Sequence, residues 1–202
     1  MRREHDISQP SIPSPTLWLE FNGNASDSSA NNYTPYYLGN YSLSYQNNTA
    51  LIGAASKGPY YAIDKYTGTE DFSIYFRIYV TENINSVLAM IANAYKNNQE
   101  EMYLAYNGGQ LWFFNNPQNV GIWPGITPVI NDWQEILIFR KNGVLYFYEN
   151  GVQVYSTPYN YQIIRSGTTG MSVGNAKNQR PNERNFRGYI DEFKYWHNIA
   201  II

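Results

Sequence analysis

The sequence predicts an all-β chain, a two-sheet antiparallel β-sandwich of the jelly-roll kind. Three observations predict it. Apolar and polar residues alternate in long runs, as they do when a strand buries one face. The runs are separated by Gly-containing turns, among them Asn142-Gly143 and Asn150-Gly151, a dipeptide that tolerates positive φ at both central positions of a tight hairpin. The 3.6-residue period of an amphipathic helix is nearly absent. A length of 202 residues with 43% hydrophobic content suits one such domain.

Residues 1–16 are polar and carry Pro10, Pro13 and Pro15. Alternating prolines favour an extended segment without internal hydrogen bonds. This stretch is expected to be an N-terminal docking arm, and residues 17–202 the sandwich body. In "DFSIYFRIYV", Phe72, Ile74, Phe76, Ile78 and Val80 share one face, and Ser73, Tyr75, Arg77 and Tyr79 the other. Val87 to Ala92 reads as a strand leading into an Asn-rich loop. "EMYLAYNGGQLWFF" reads as a hairpin, with Met102, Leu104 and Tyr106 facing Leu111 and Phe113. Turns are expected at Asn142-Gly143 and Asn150-Gly151. In the last strand, alternation places Tyr189, Asp191, Phe193 and Tyr195 on one face and Ile190, Glu192, Lys194 and Trp196 on the other. That puts a carboxylate in register with three rings.

Composition narrows the function. Charged residues make up 15% and net charge is −2, so the clustered basic surface of a nucleic-acid binder is not there. Cysteine is absent, which excludes disulfides and thiolate metal sites. No apolar run reaches the roughly 20 residues of a membrane-spanning helix, and the N-terminus has no apolar signal core. The 20 Tyr, 5 Trp and 25 Asn predict an uncharged polar surface suited to hydrogen bonding and ring stacking.

Four segments, in order, resemble one family. "LWLEFNGNASDSSANN" is similar to the opening strand and "DsSG"-type loop of laminin-G-like, concanavalin A-like domains. "DFSIYFRIYV" resembles their "F-T-I-S-F-W-V" strand. "INDWQEILIFRKNGVLYFYENGVQVYS" is similar to their "W-H-H-V-A … L-Y-V-N-G" block, and "FRGYIDEFKYWHNIAI" to their closing "F-x-G-x-I-D-E-V-R-I-Y-N-x-A-L". The likeness runs from Leu17 to Ile201. This chain departs from the pattern in having Gln134-Glu135 after the central Trp133, Glu149 before Asn150-Gly151, and Ala30 where the loop has Gly. The resemblance implies the sandwich fold, shared by lectins, adhesion modules and glycosidases. It also implies a structural calcium held by Asp191 with backbone carbonyls near the first strand; Glu20 on that strand is the candidate second ligand and Asp27 a weaker third, because calcium takes six to eight oxygens. The alternative is that Asp191 accepts hydrogen bonds from loop N–H groups.

Catalysis is not expected. The Glu-x-Asp-x-x-Glu strand of the family's glycosidases is missing, and the adjacent pairs Glu100-Glu101 and Asp191-Glu192 point to opposite faces of a strand. Sugar binding is expected, since carbohydrate sites combine a flat ring with amides. Trp123 lies in the Pro/Gly-rich "NNPQNVGIWPGITP", and Trp112 alternates away from Leu111 and Phe113. Asn115 and Asn119 lie nearby, and the competing reading is that both indoles simply pack. An unsignalled sandwich with an arm also reads as part of an assembly. The expected setting is a bacteriophage particle, made in the host cytoplasm, with the arm docking on other virion proteins and the loops touching host-surface glycans. A free-standing carbohydrate-binding module on a bacterial surface and a divergent glycosidase are the alternatives. A homo-oligomer stays open.

Overall fold

A computed structural model describes residues 12–35, 44–46, 49–52, 59–63, 68–82, 86–93, 100–163, 169–174 and 186–202. The first eleven residues of the arm and the Asn-rich loop after Asn93 lie outside the described residues. No helix occurs among those described.

Each apolar alternation becomes a strand. The chain forms β1 (Leu17–Leu19), β2 (Ser44–Gln46), β3 (Thr49–Ile52), β4 (Tyr60–Ile63), β5 (Phe72–Val80), β6 (Ser86–Asn93) and β7 (Glu100–Asn107). It continues with β8 (Gln110–Asn115), β9 (Val120–Ile122), β10 (Trp133–Lys141), β11 (Val144–Glu149), β12 (Val152–Pro158), β13 (Thr169–Val173) and β14 (Gly188–His197). Eight strands make one sheet in the order β12-β11-β10-β5-β14-β3-β2, with β1 also on β14; six make the other, β4-β13-β6-β7-β8-β9. All pairings are antiparallel within the sheets.

The core lies between the sheets. Phe72, Ile74, Phe76, Ile78 and Val80 of β5 are all buried, as are Leu104, Tyr106, Leu111 and Phe113 of β7 and β8. One apolar cluster joins them. The turns expected at Asn142-Gly143 and Asn150-Gly151 form, with φ of 50° and 74° at Asn142 and Gly143, and 48° and 79° at Asn150 and Gly151. Gly108 and Gly109, at 59° and 78°, close the β7–β8 hairpin.

The expected faces of β14 require correction. Ile190 pairs with Ile78, but the next pair is Glu192 with Arg77, so Asp191 is an extra residue in a β-bulge. The bulge resets the alternation. Ile190, Phe193 and Tyr195 are buried in the core, whereas Tyr189, Glu192 and Lys194 are only partly covered. Asp191 is therefore not in register with three core rings.

Two departures from the family pattern turn out to be one feature. Gln134 is fully buried. Its Nε2 donates to a Glu149 carboxylate oxygen at 2.6 Å and to the Thr127 carbonyl at 2.9 Å, while its Oε1 accepts from the Tyr106 hydroxyl at 2.9 Å. A buried amide must have partners, and Glu149 is one of them. Arg140, also fully buried, donates instead to carbonyls: those of Glu70, Gly68 and Tyr161. It ties the segment before β5 to the segment after β12, and burial lowers its pKa below the usual guanidinium value.

The base of the arm is fastened. The Trp196 indole N–H donates to the Pro13 carbonyl at 2.7 Å, and the His197 amide to the Thr16 hydroxyl at 3.0 Å. Ile12 beyond it is 70% exposed.

Candidate functional site

Strand β8 buries Leu111, Phe113 and Asn115 and turns Trp112 and Phe114 to the outer face of the six-stranded sheet. Strand β9 returns alongside it, pairing Phe113 with Ile122 and Phe114 with Gly121. One step beyond that ladder, Trp123 meets Trp112. The two indoles stack with centroids 5.4 Å apart and planes 16° apart. Trp123 is 46% exposed. Behind Trp112 the rings of Phe114, at 4.6 Å, and Tyr103, at 5.2 Å, form a backing. The arrangement is a two-indole platform with its outer ring open to solvent.

Gly121 makes the seat for Trp112. A Cβ there would lie 2.6 Å from the indole Nε1, so only a bare backbone lets the ring lie this close. That Nε1 is buried with no hydrogen-bond partner among the described residues. Sequence reasoning reached the two tryptophans but missed Gly121, Phe114 and Tyr103. The turn at Asn116–Asn119, with Asn119 at φ 51°, was the available signal: once that turn is placed, antiparallel pairing brings residue 123 opposite residue 112.

The other two sugar-site candidates fall elsewhere. Asn115 is fully buried on the core side of β8, and its Nδ2 donates to the Tyr159 hydroxyl at 2.6 Å and the Gln162 carbonyl at 2.8 Å. It shares the face of Leu111 and Phe113, so it cannot meet a ligand on the Trp112 face. Asn119 is exposed, and its part is the positive φ of the turn that joins β8 to β9.

The calcium candidates divide. Glu20, Asn22, Asp191 and Glu192 line one shallow depression. Asp191 is held by the Arg77 guanidinium at 2.5 Å. Glu192 accepts from Lys194 at 2.6 Å and from the Trp18 indole at 3.2 Å. Glu20 accepts from the Ser28 hydroxyl at 2.8 Å. Asp27 does not reach the depression. It is 5% exposed and accepts from the Trp18, Ser29 and Tyr33 amides and from the Ser29 hydroxyl, at 2.8–3.0 Å. Its carboxylate organises the loop after β1. Among the described residues no group of three or more His, Cys, Asp and Glu side chains is placed to hold a metal ion. With two of the depression's three carboxylates already neutralised by cations, this donor set does not fit calcium by itself. The carboxylate of Asp191 is answered by an arginine on the neighbouring strand, on the surface opposite the indole platform.

Two antiparallel sheets packed face to face around one core define a jelly-roll sandwich. The family model described as the concanavalin A-like lectin/glucanases superfamily matches residues 55–199, and the chain belongs to that superfamily. Domain 4 of AbnA, a GH43 extracellular arabinanase from Geobacillus stearothermophilus solved in complex with arabinotriose, superposes with a TM-score of 0.68 at 15% identity, covering 91% of this chain and 92% of that one. The binding domain of botulinum neurotoxin DC, solved in complex with SialylT, gives 0.62 at 19% identity over 91% of this chain, which spans 48% of that one. A heptameric SAP-like pentraxin from Limulus polyphemus gives 0.57 at 15%, covering 75% of this chain and 76% of that one. At such identities the likeness is one of fold. No curated protein matches the chain.

Proposed function

We propose that this chain binds glycans without turning them over, through the Trp112–Trp123 platform. The observation that carries the reading is the half-exposed Trp123 ring stacked on an indole that is itself backed by Phe114 and Tyr103. A sugar's C–H face lies well on a flat ring of this kind, and a ring fixed in advance loses little entropy on binding. The reading without turnover is supported by the lack, anywhere in the sequence, of the Glu-x-Asp-x-x-Glu spacing that places a nucleophile and an acid on one face of a strand.

The test is a glycan array probed with the purified chain, with calcium and then with chelator, alongside Trp123→Ala. Binding is expected in both conditions, because the acidic depression is on the other side of the sandwich. The alanine variant is expected to lose it, with stability lowered by only about 1–2 kcal/mol, since the ring is half covered and stacked on one neighbour. An array silent in both conditions, or a variant that binds as well as the parent, overturns the proposal. Release of labelled fragments from a bound glycan overturns the part about turnover.

The setting we propose is a bacteriophage particle, on which the arm docks the sandwich. The fastening of Pro13 and Thr16 to β14 supports it, since it gives the preceding residues a fixed point of departure. Removing residues 1–12 is then expected to abolish particle incorporation while the body still folds. The second reading is a carbohydrate-binding module at a bacterial surface. The nearly complete mutual coverage with a single domain of an extracellular arabinanase favours it. Undiminished incorporation of the shortened chain would overturn the docking role of the arm, and absence of the full chain from particles would decide for the second reading.

A further inference from the structure

The outer face of the eight-stranded sheet carries a second site, independent of the indole platform. Its ladder pairs line up in rows across β14, β5, β10 and β11: Glu192, Arg77 and Glu135 form one row, and Lys194, Tyr75, Leu137 and Tyr148 the next. Between them lies a cavity of about 250 Å³, walled by Tyr75, Leu137, Phe139, Tyr148 and Ile202, with Glu135 the one charged side chain among its described lining residues.

The walls are held in place. Phe139 stacks with Tyr146 at 4.9 Å and with Tyr148 at 5.6 Å. The Tyr148 hydroxyl donates to Gln153 at 3.0 Å. The Glu135 amide donates to the Asn150 side chain, and its carbonyl accepts from the Asn150 amide, both at 2.9 Å. The tail crosses β5 on the Ser73 hydroxyl, which donates to the Ile199 carbonyl and accepts from the Ile201 amide, both at 2.8 Å.

The chemistry of the lining selects a ligand. A sugar would strip its hydroxyls of water against rings that offer them few partners. An anion would meet Glu135, with Glu192 and Asp191 close behind. The two nearby cations are paired with other acids: Arg77 lies 2.5 Å from Asp191 but 4.0 Å from Glu135, and Lys194 lies 2.6 Å from Glu192, with its ammonium 5.7 Å from the centre of the Tyr75 ring. A primary ammonium would bring N–H donors that need partners of their own. A methylated ammonium brings a positive charge in an apolar shell, attracted by ring faces and a carboxylate and needing no hydrogen bond. We propose that this cavity binds a quaternary ammonium group, with Tyr75, Phe139 and Tyr148 as the aromatic walls and Glu135 as the counter-charge. The negative field there also shows at Tyr75, whose phenol is pushed up chiefly by burial and next by Glu135.

The experiment is a calorimetric and NMR titration of the full chain with choline and with its uncharged carbon isostere, dimethylbutanol. Choline is expected to shift resonances of Tyr75 and Tyr148 and to bind about tenfold more tightly than the isostere. Glu135→Gln, at a half-exposed side chain, is expected to fold normally and to lose most of that difference. Phosphatidylcholine vesicles form a third arm, so that a lipid headgroup can be told from a soluble source. Binding in either arm that weakens in Glu135→Gln supports the site. No binding of choline, equal binding of the isostere, or binding indifferent to Glu135→Gln overturns it.

Discussion

The residue with most to say about this family member is Gln134. Buried and uncharged, it bridges Tyr106, Thr127 and Glu149 across the interior. Glu149 is needed because Gln134 is there. Glu149→Val would restore the family's residue and leave one buried Nε2 bond unmade, which costs about 1–2 kcal/mol. Combined with Gln134→Leu, the loss is expected to fall short of the sum of the single losses by about 1 kcal/mol, the sign of a direct pair. Urea unfolding of the four-member cycle measures it, and strict additivity would show that the two positions act apart. Asn115 teaches the same lesson from the other side. Its type pointed to a sugar site, but its place in the β8 alternation, with Leu111 and Phe113, already put it inside.

Two strands show what pattern alone can reach. β5 obeyed its alternation along its full length, because it is paired on both sides by long strands, β10 and β14, that leave no room for an extra residue. β14 did not, because a bulge inserts Asp191 and every later side chain changes face. Nothing in "GYIDEFKYW" marks the insertion, which shows only in the pairing of β14 with β5. The short strand β9 matters more to the candidate site than its three residues suggest. Gly121→Ala would set a Cβ against the Trp112 indole and force the ring to move. Overpacking of this kind costs about 1–3 kcal/mol. Glycan binding is expected to fall with it, and the near-ultraviolet circular dichroism of the stacked indole pair to change. A variant whose indole signal and glycan affinity both match the parent would show that the seat does not depend on Gly121.

The whole molecule is rich in tyrosine, and that sets its response to alkali. Tyr106 and Tyr159 are each 1% exposed. Burial pushes the Tyr159 phenol up to about 12, although the Asn115 hydrogen bond and Arg140 draw it down, and burial pushes Tyr106 up further. In the unfolded chain both titrate near 10. The folded state therefore holds these protons longer. Their contribution is complete below about pH 10 and is lost as pH rises through the folded values, at about 1.4 kcal/mol per pH unit for each phenol in that window. Unfolding monitored against phenolate absorbance is expected to show a steep loss of stability above about pH 10, and Tyr159→Phe is expected to flatten it. A flat profile through pH 12 would contradict the burial of these rings.

The sequence by itself determined the sandwich, its main strands and its tight turns. Alternation, Asn-Gly and the lack of helical period are local properties, and each acts over a few residues. It also marked Trp112 and Trp123 as rings off the core pattern. Only the tertiary structure decided that those two rings touch, that Asp191 is a bulge residue held by Arg77, and that Asp27 serves its own loop. Each of these depends on which strands become neighbours and in what register. Strand pairing is a long-range property: a shift of one residue exchanges the two faces of a sheet while leaving every local pattern unchanged.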